Sequence, residues 1–183
     1  MTGLDVYLQR LRIEAALPWI PSGGHVLDVG CADGALFRLG RSRFSSGVGI
    51  DLLDSQAWVE GEYERRTGCF PDVLVDGERF DAVVMLAVVE HVSDGELNRW
   101  AQAVPQILSK GGRLIITTPA PMVDHILAAG MRLRLLHGME VHQHHGFDPG
   151  DVPKIFSCSG LSLESWRRFE LRLNHLFVFA PTS

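Results

Sequence analysis

Two glycines and an acid near the start of the chain could hold a ligand against the backbone. Gly30 and Gly34 lack a Cβ, so the chain can turn sharply there and approach a ligand closely. The N–H groups of a helix that follows would face the same space. Asp28 places a carboxylate directly before this turn, and Cys31 and Ala32 lie within it. These residue types in this order predict a nucleotide-binding turn.

A second acid supports the same interpretation. The apolar run 48–50 ends in Asp51, which lies 21 positions after Gly30. An acid about 20 residues beyond a glycine turn, at the tip of the second strand of a βαβ unit, is where the diol of a nucleotide ribose is bound. The sequence therefore predicts that Asp51 contacts a ribose.

These residues need a strand before the turn, a helix after it and further parallel strands beside them. The apolar residues around Asp28 are typical of a buried strand, and the segment from Ala35 is compatible with a helix. Residues 80–86 are apolar except for Asp81, and such a run is typical of a central parallel strand that is covered on both faces. Its end places Leu86 and Ala87 where the strand ends of a doubly wound sheet form a ligand crevice.

Histidines at two places could act as a general base, because histidine titrates near neutral pH. His91 follows the central strand, where it could instead order the loop by bonding the backbone. His142, His144 and His145 crowd one loop, and a solvated turn is the alternative interpretation there. With Asp148 nearby these residue types could bind a metal, but they include no helical i, i+4 pair and no thiolate, so no metal site is predicted.

Three segments resemble one enzyme family. Residues 28–34 are similar to the acid-x-G-x-G-x-G signature of class I S-adenosylmethionine-dependent methyltransferases, with Ala32 at the middle glycine. Residues 80–92, with the pattern F-D-x-V-x-x-x-x-V-x-E-H-V, resemble the fourth-strand segment of small-metabolite members, including enzymes of ubiquinone and menaquinone biosynthesis. Residues 111–119 match the family pattern G-G-x-L-x-I-x-T-P. An alanine fits the middle position if the backbone there is not left-handed.

The resemblance implies a cofactor and a reaction. S-adenosyl-L-methionine would donate a methyl group to an oxygen, nitrogen or carbon atom of a small or carrier-linked metabolite, and S-adenosyl-L-homocysteine would be released. Leu52 would pack against the adenine ring, and Leu86 and Ala87 would lie near the methyl donor. An acid that reaches the adenine amine is expected between residues 62 and 77, where the resemblance is weakest. Asp72 and Asp76 are the candidates, with turn acids in solvent as the alternative.

The expected fold is α/β. It is a Rossmann-like, doubly wound, seven-stranded sheet with an antiparallel last strand, in a single methyltransferase domain over residues 1–183. Residues 1–22 would form a leading helix and a connector, and residues 120–147 would cover the substrate. The alternating pattern over residues 161–180 predicts two strands joined by a turn near Asn174.

Composition narrows the possible functions. A chain of 183 residues with 46% hydrophobic and 21% charged residues is typical of one globular domain. The net charge of −5 disfavours a dedicated nucleic-acid-binding role, and the longest strongly apolar run, residues 82–89, is too short to span a bilayer. Cys31, Cys69 and Cys158 show no C-x-x-C spacing. A cytoplasmic protein is expected, and its oligomeric state is left open.

Two alternatives remain at this point. A nicotinamide-dependent oxidoreductase would share the glycine turn, but its usual G-x-G-x-x-G spacing would require Ala32 and Ala35, and residues 80–92 and the terminal strand pair also argue against it. A non-catalytic module could have kept the cofactor fold without turnover. Ala32 and the weakly matched segment 62–77 are the reasons for keeping this second alternative.

Overall fold

The computed structural model describes residues 3–53, 61–120 and 147–182. Three short 3₁₀ turns lie at Leu17–Trp19, Val89–His91 and Pro149–Asp151. The helices are α1 (Gly3–Ala16), α2 (Ala35–Gly40), α3 (Asp94–Ile107) and α4 (Val152–Ser157). The strands are β1 (His25–Val29), β2 (Ser46–Asp51), β3 (Tyr63–Thr67), β4 (Phe80–Leu86), β5 (Leu108–Pro119), β6 (Leu161–Phe169) and β7 (Asn174–Pro181).

The seven strands within these ranges form one sheet in the order β3-β2-β1-β4-β5-β7-β6. Strands β1 to β5 are parallel, whereas β7 runs antiparallel to both β5 and β6. The predicted α/β sheet with a reversed last strand is therefore confirmed. The strand order reverses between β1 and β4, and a crevice for a ligand opens at the carboxyl ends of the strands at such a point.

Apolar residues cover both faces of the sheet. Neighbouring strand residues such as Val26 and Leu27 belong to two different buried clusters, as the alternation of a strand requires. One cluster includes Trp100 of α3, and the other includes Ile13 of α1 and Phe37 of α2. Because both faces are buried, the central strands β1 and β4 are largely apolar, and Asp28 and Asp81 lie close to the strand ends.

The helix boundaries follow local chemistry. Helix α1 ends at Ala16, two residues before Pro18, as its sequence predicts. The side chain of Ser93 accepts a hydrogen bond of 3.4 Å from the Glu96 amide and caps α3. Asp148 likewise accepts a hydrogen bond of 2.8 Å from the Gly150 amide and caps the 3₁₀ turn Pro149–Asp151.

Local sequence signals do not fully mark two strands and one turn. Strand β3 has no continuous apolar run to mark it, because it is an edge strand whose residues are half-buried or exposed. Strand β5 begins at Leu108, before the glycine pair at residues 111 and 112. Gly111 is left-handed, and the β4–β5 register shifts nearby. The turn between β6 and β7 occupies residues 170–173, and Asn174 already opens β7.

Parts of the predicted domain organisation fall outside the described residues. The sequence also predicts a short helix over residues 52–60. Most of that segment and nearly all of the expected substrate cover, residues 120–147, lie outside the described residues. The division of the domain therefore stays a prediction. Over the three described ranges, no helix is long and apolar enough to cross a membrane.

Candidate functional site

The predicted glycine turn lies between β1 and α2. Gly30 and Gly34 have φ angles of 78° and 71°, in the left-handed region that favours glycine. A Cβ at Gly30 would lie 2.8 Å from Cγ2 of Val88, so no larger residue fits there without displacing the chain after β4. The Gly30 amide donates a hydrogen bond of 2.8 Å to the Ile50 carbonyl, which fastens the turn to β2.

Ala32 is left-handed as well, with a φ angle of 45°. The condition under which an alanine was expected to fit is therefore not met. A left-handed conformation costs an L-residue about 1 kcal/mol or more, so its surroundings must hold it. The Ala32 amide donates to Asp51 Oδ2 at 2.9 Å, and the Ala32 carbonyl accepts from Arg65 Nη1 at 2.6 Å. These two charged side chains account for the conformation.

A cleft of about 320 Å³ opens at the carboxyl ends of β1 and β4. It brings together six of the predicted cofactor residues, while helix α1 forms the opposite wall. The six are Asp28, Gly30, Cys31, Ala32, Leu86 and Ala87, and the α1 residues are Asp5, Leu8, Gln9, Arg12 and Ile13. Of the other predicted residues, Gly34, Asp51 and Leu52 do not line this cleft.

Asp28 lies on the floor of the cleft, where only 4% of its surface is exposed. Burial, together with the nearby charges of Asp51 and Asp33, raises the pKa of its carboxyl to about 7. A ligand group that carries positive charge would stabilise the ionised form of this buried carboxyl. The floor of the cleft is therefore suited to a cationic ligand group.

Arg12 faces the same cleft from α1. Burial lowers the pKa of its guanidinium, and the charges of Glu90, Glu170 and Asp5 act in the opposite direction. Its Nε donates a hydrogen bond of 3.2 Å to Asn174 Oδ1. An arginine remains charged near neutral pH, so an acid and a guanidinium line one cleft. This pair suits a ligand with both an ammonium and a carboxylate group. Sequence reasoning missed Arg12 because no local motif marks it.

Asp51 ends β2 next to the cleft. Its Oδ2 accepts from the Ala32 amide and its Oδ1 from the Leu53 amide, each at 2.9 Å. A carboxylate has about four acceptor positions, so it can also accept bonds from two ribose hydroxyls. Leu52 follows with 68% of its surface exposed, which leaves an apolar side chain available beside the predicted ribose site. The predicted roles of Asp51 and Leu52 are compatible with this geometry and stay predictions.

The two candidates for the adenine acid do not line the cleft. Asp72 forms an ion pair with Arg99 of α3, and more than half of each side chain is exposed. Asp76 is exposed in the turn before β4. The geometry of these residues favours the alternative, in which both acids are turn residues in solvent.

Of the three predicted catalytic histidines, His91 lies within the described residues, and it does not line the cleft. His91 is exposed in the 3₁₀ turn after Val88, and its amide donates to the Val88 carbonyl at 3.0 Å. Its neighbour Glu90 is buried and lines a second cavity of about 580 Å³. His142 and His145 lie outside the described residues. A catalytic role for these three histidines stays a prediction.

Two other kinds of chemistry find no support in the described ranges. Residues 3–53, 61–120 and 147–182 contain no group of three or more histidine, cysteine or acidic side chains placed to hold a metal ion. Burial raises the pKa of the Cys31 thiol to about 12, with Asp28 as the next cause, so this thiol stays protonated near neutral pH. Cys31 therefore lines the cleft as a neutral thiol, which is a poor nucleophile.

Comparison with known proteins agrees with this geometry. The profile of a methyltransferase domain family matches residues 4–165. The mitochondrial ubiquinone biosynthesis O-methyltransferase of Bos taurus is 38% identical over 110 residues, which cover 53% of this chain and 29% of that protein. The ubiquinone biosynthesis O-methyltransferase of Xanthomonas axonopodis pv. citri is 27% identical over 157 residues, which cover 79% of this chain and 65% of that protein.

A structural neighbour shares the whole fold. The magnesium protoporphyrin IX methyltransferase of Synechocystis PCC 6803, solved with bound S-adenosylhomocysteine, superposes with a TM-score of 0.70. Its sequence is 16% identical, and the superposition covers 100% of this chain and 89% of the neighbour. This likeness supports the fold, and the family match over most of the 183 residues confirms the predicted resemblance. The chain belongs to the methyltransferase domain family.

Proposed function

We propose that this chain transfers a methyl group from S-adenosylmethionine to an oxygen, nitrogen or carbon atom of a small or carrier-linked metabolite, and releases S-adenosylhomocysteine. The observation that carries the proposal is the cleft of about 320 Å³ that is lined both by Asp28, on its floor, and by Arg12 of α1. Its setting supports the proposal too, because it opens at the switch point of a parallel sheet beside the glycine turn.

The residues present fit this cofactor chemically. Its amino-acid part carries an ammonium and a carboxylate, which match the buried carboxyl of Asp28 and the guanidinium of Arg12. Asp51 would accept hydrogen bonds from the ribose hydroxyls, and Leu52 would pack against the adenine ring. When bound, S-adenosylmethionine supplies an electrophilic methyl group on a positively charged sulfur, together with its own leaving group.

The chain's own residues would mainly orient the reactants and keep water out. Leu8 and Ile13 of α1 cover the cleft on one side, and Leu86 and Ala87 form an apolar wall at the end of β4. Ala87 is held in a left-handed conformation, with a φ angle of 52°, while its amide donates to the Thr117 carbonyl at 2.9 Å. Alignment of a nucleophile in such a site lowers a barrier by several kcal/mol or more without a dedicated base.

The acceptor would enter from the side of the Val89–His91 turn. The cavity of about 580 Å³ there is lined by Glu90, Asp94 and Asp148 as well as by Phe147. Carboxylates and an aromatic ring could accommodate a hydroxyl- or amine-bearing metabolite. If the acceptor is a hydroxyl, His91, His142 and His145 are the proposed candidates for taking its proton.

The named relatives suggest where an acceptor screen should start. They are O-methyltransferases of ubiquinone biosynthesis by name, and this chain spans 29% of the Bos taurus protein and 65% of the Xanthomonas protein. Hydroxylated aromatic and carrier-linked acceptors therefore come first. We further propose a cytoplasmic location, which the free thiols of Cys31, Cys69 and Cys158 support, because free thiols are typical of reducing compartments.

A cofactor-binding module without turnover is the second candidate function. The observation that favours it is the left-handed alanine at position 32, which replaces a glycine of the family pattern. A nicotinamide-dependent oxidoreductase is no longer a candidate, because the chain belongs to a methyltransferase family.

Calorimetric titration tests the proposed cofactor. We expect saturable binding of S-adenosylmethionine and S-adenosylhomocysteine and none of NADH. Asp51→Ala should weaken binding about tenfold or more, since it removes acceptors for two hydroxyls. Asp72→Ala is the matched control, because it removes an exposed acid outside the cleft, and it should bind like the wild type.

Transfer of labelled methyl groups to an acceptor panel then separates the two candidate functions. Transfer to any hydroxyl, amine or carbon acceptor supports the enzyme. Selective cofactor binding with no transfer across the panel supports the binding module. Absence of binding at millimolar adenosyl ligand would contradict both.

A further inference from the structure

The side chain of Arg65 spans two loops at the edge of the proposed cofactor site. Arg65 lies in β3, next to Gly49 of β2, and its guanidinium reaches beyond the end of β2. Its Nη1 donates to the Ala32 carbonyl at 2.6 Å, 33 positions away in sequence. Its Nη2 donates to the Leu53 carbonyl. One half-buried arginine therefore links the turn after β1 to the loop after β2.

Asp51 binds the amides of the same two residues. Its two carboxylate oxygens accept from the Ala32 and Leu53 amides. Ala32 and Leu53 are thus each held at the N–H group by a carboxylate and at the carbonyl by a guanidinium. We call these four bonds, made by Asp51 and Arg65 to Ala32 and Leu53, the clamp. Every bond of the clamp involves a charged group, and such bonds are stronger than neutral ones.

The clamp holds a conformation that the sequence disfavours. Ala32 has a φ angle of 45°, which a glycine would adopt without cost but an alanine adopts only when it is held. If Ala32 relaxed toward the right-handed region, its amide would turn away from Asp51, and the carboxylate would lose an orienting bond. Leu52, the predicted adenine contact, lies between two clamp residues and would lose its position with them.

We infer that Arg65 is a positioning residue for the adenosine half of the cofactor site. Through its bonds to Ala32 and Leu53, it keeps the carboxylate of Asp51 oriented toward the ribose. It also holds Ala32 in the left-handed conformation that a glycine at position 32 would adopt without help. The inference rests on the proposed function, because it concerns the same cofactor. It goes further in assigning a role to a residue outside the family motifs.

A double-mutant cycle between Arg65→Met and Ala32→Gly tests this role. Calorimetry with S-adenosylhomocysteine is the readout, and thermal unfolding of each variant is recorded beside it. Arg65→Met should weaken binding roughly ten- to hundredfold when Ala32 is retained, because two charge-assisted bonds are lost. In the Ala32→Gly background the same change should cost several-fold less, since glycine takes the left-handed conformation unaided and only the bond to Leu53 is then missed.

Two further variants separate positioning from stability. Arg66→Met changes the neighbouring arginine of β3, which binds Glu64 and Glu78 instead of the clamp residues. It should lower the unfolding temperature but leave the dissociation constant within about twofold. Arg65→Lys keeps the charge but lacks the fork that reaches both carbonyls, so it should weaken binding when Ala32 is retained, even if Arg65→Met fails to fold.

The outcomes distinguish this inference from the proposed function. Equal losses for Arg65→Met with Ala32 retained and with Ala32→Gly would overturn the route through Ala32. Wild-type affinity in Arg65→Met or Arg65→Lys would overturn the positioning role and leave the cofactor site intact. Failure of the wild type itself to bind S-adenosylhomocysteine would overturn the proposed function, and the role of Arg65 with it.

Discussion

At the residue scale, the ionisation of Asp28 links the cleft to pH. Its carboxyl is buried on the cleft floor, and burial together with Asp51 and Asp33 raises its pKa to about 7. Near neutral pH the free protein is therefore a mixture of two protonation states. A cationic ligand group selects the ionised state, so binding and proton release are coupled.

This coupling predicts a pH-dependent affinity for S-adenosylmethionine. Below a pH of about 7, binding must release the Asp28 proton, so the affinity should fall by up to about tenfold per pH unit. Above that pH the affinity should level off. Calorimetry between about pH 5.5 and about pH 8.5, in buffers with different ionisation enthalpies, measures both the affinity and the released proton. Asp28→Asn should bind more weakly and without this pH dependence, and an equally steep profile in that variant would contradict the assignment.

The same carboxyl predicts how stability changes with pH in the unliganded protein. The folded-state pKa of about 7 lies above the ordinary value of 3.8, so the folded state holds the proton more tightly. Its contribution to the free energy of unfolding is fully present below pH 4 or so and is lost as pH rises to about 7, by roughly 1.4 kcal/mol per unit and about 4 kcal/mol at most. Urea unfolding at both ends of this range should show the loss in wild type. A similar loss in Asp28→Asn would show that other groups cause it.

At the element scale, helix α1 covers the cleft and is held in place by three hydrogen bonds to other parts of the fold. Gln9 Nε2 donates to Asp33 Oδ1 of the glycine turn at 3.2 Å, and Arg12 Nε donates to Asn174 Oδ1 at 3.2 Å. Arg167 of β6 donates to the Ala15 carbonyl at 2.8 Å, near the C-terminus of the helix. The wall formed by α1 therefore depends on contacts with the glycine turn and with the strands β6 and β7.

Arg167→Ala should loosen this wall. The arginine satisfies a terminal carbonyl of α1 and its charge is favourable at that end of the helix, so the loss is about 0.5–1.5 kcal/mol. We expect faster amide exchange over residues 3–16 and up to about tenfold weaker cofactor binding. Arg168→Ala is the matched control from the same strand, and its exchange over α1 should equal that of wild type. Equally fast amide exchange over residues 3–16 in both variants would contradict a specific role for the bond between Arg167 and the Ala15 carbonyl.

The edge strand β3 depends on a different arginine. Arg66 donates to both oxygens of Glu64 and of Glu78, at distances of 2.8 to 2.9 Å. Its side chain is 11% exposed, so removal of the guanidinium leaves the partly buried Glu78 without this partner. We expect Arg66→Met to lower the free energy of unfolding by roughly 1–3 kcal/mol. Arg99→Met, which breaks the exposed pair with Asp72, should cost less than about 1 kcal/mol in the same urea titration.

Local signals explain which elements could be predicted. Strands β1, β2 and β4 carry apolar runs, a glycine turn follows β1 and an acid ends β2, so their positions follow from the sequence. Strand β3 reads Tyr-Glu-Arg-Arg-Thr, and a half-exposed edge strand of this kind has little periodicity to reveal it. The left-handed conformation of Ala32 could not be foreseen either, because it depends on Asp51 and Arg65, which the fold brings from other strands.

At the scale of the whole molecule, the candidate site is assembled from distant parts of the chain. The contact between Arg12 and Asn174 joins residues 162 positions apart, and that between Arg65 and Ala32 joins residues 33 positions apart. Motifs identified the residues that belong to one strand and the turn after it. They could not identify these long-range partners, because the sequence around a single arginine on a helix or an edge strand does not indicate which distant residue it contacts.

A ligand held by such a site should stabilise the domain as one unit. S-adenosylhomocysteine would contact α1, the turn after β1 and the end of β2, so its binding energy should be lost only when the sheet unfolds. At a ligand concentration of about 100 times the dissociation constant, the gain is about 2.7 kcal/mol, which corresponds to a rise in Tm of roughly 5–10 °C for a chain of this size. Scanning calorimetry should show one transition that shifts as a whole, with no shift in NADH and little in Asp51→Ala. A second transition that stays at the unliganded temperature would mean that the cleft and the rest of the sheet unfold separately.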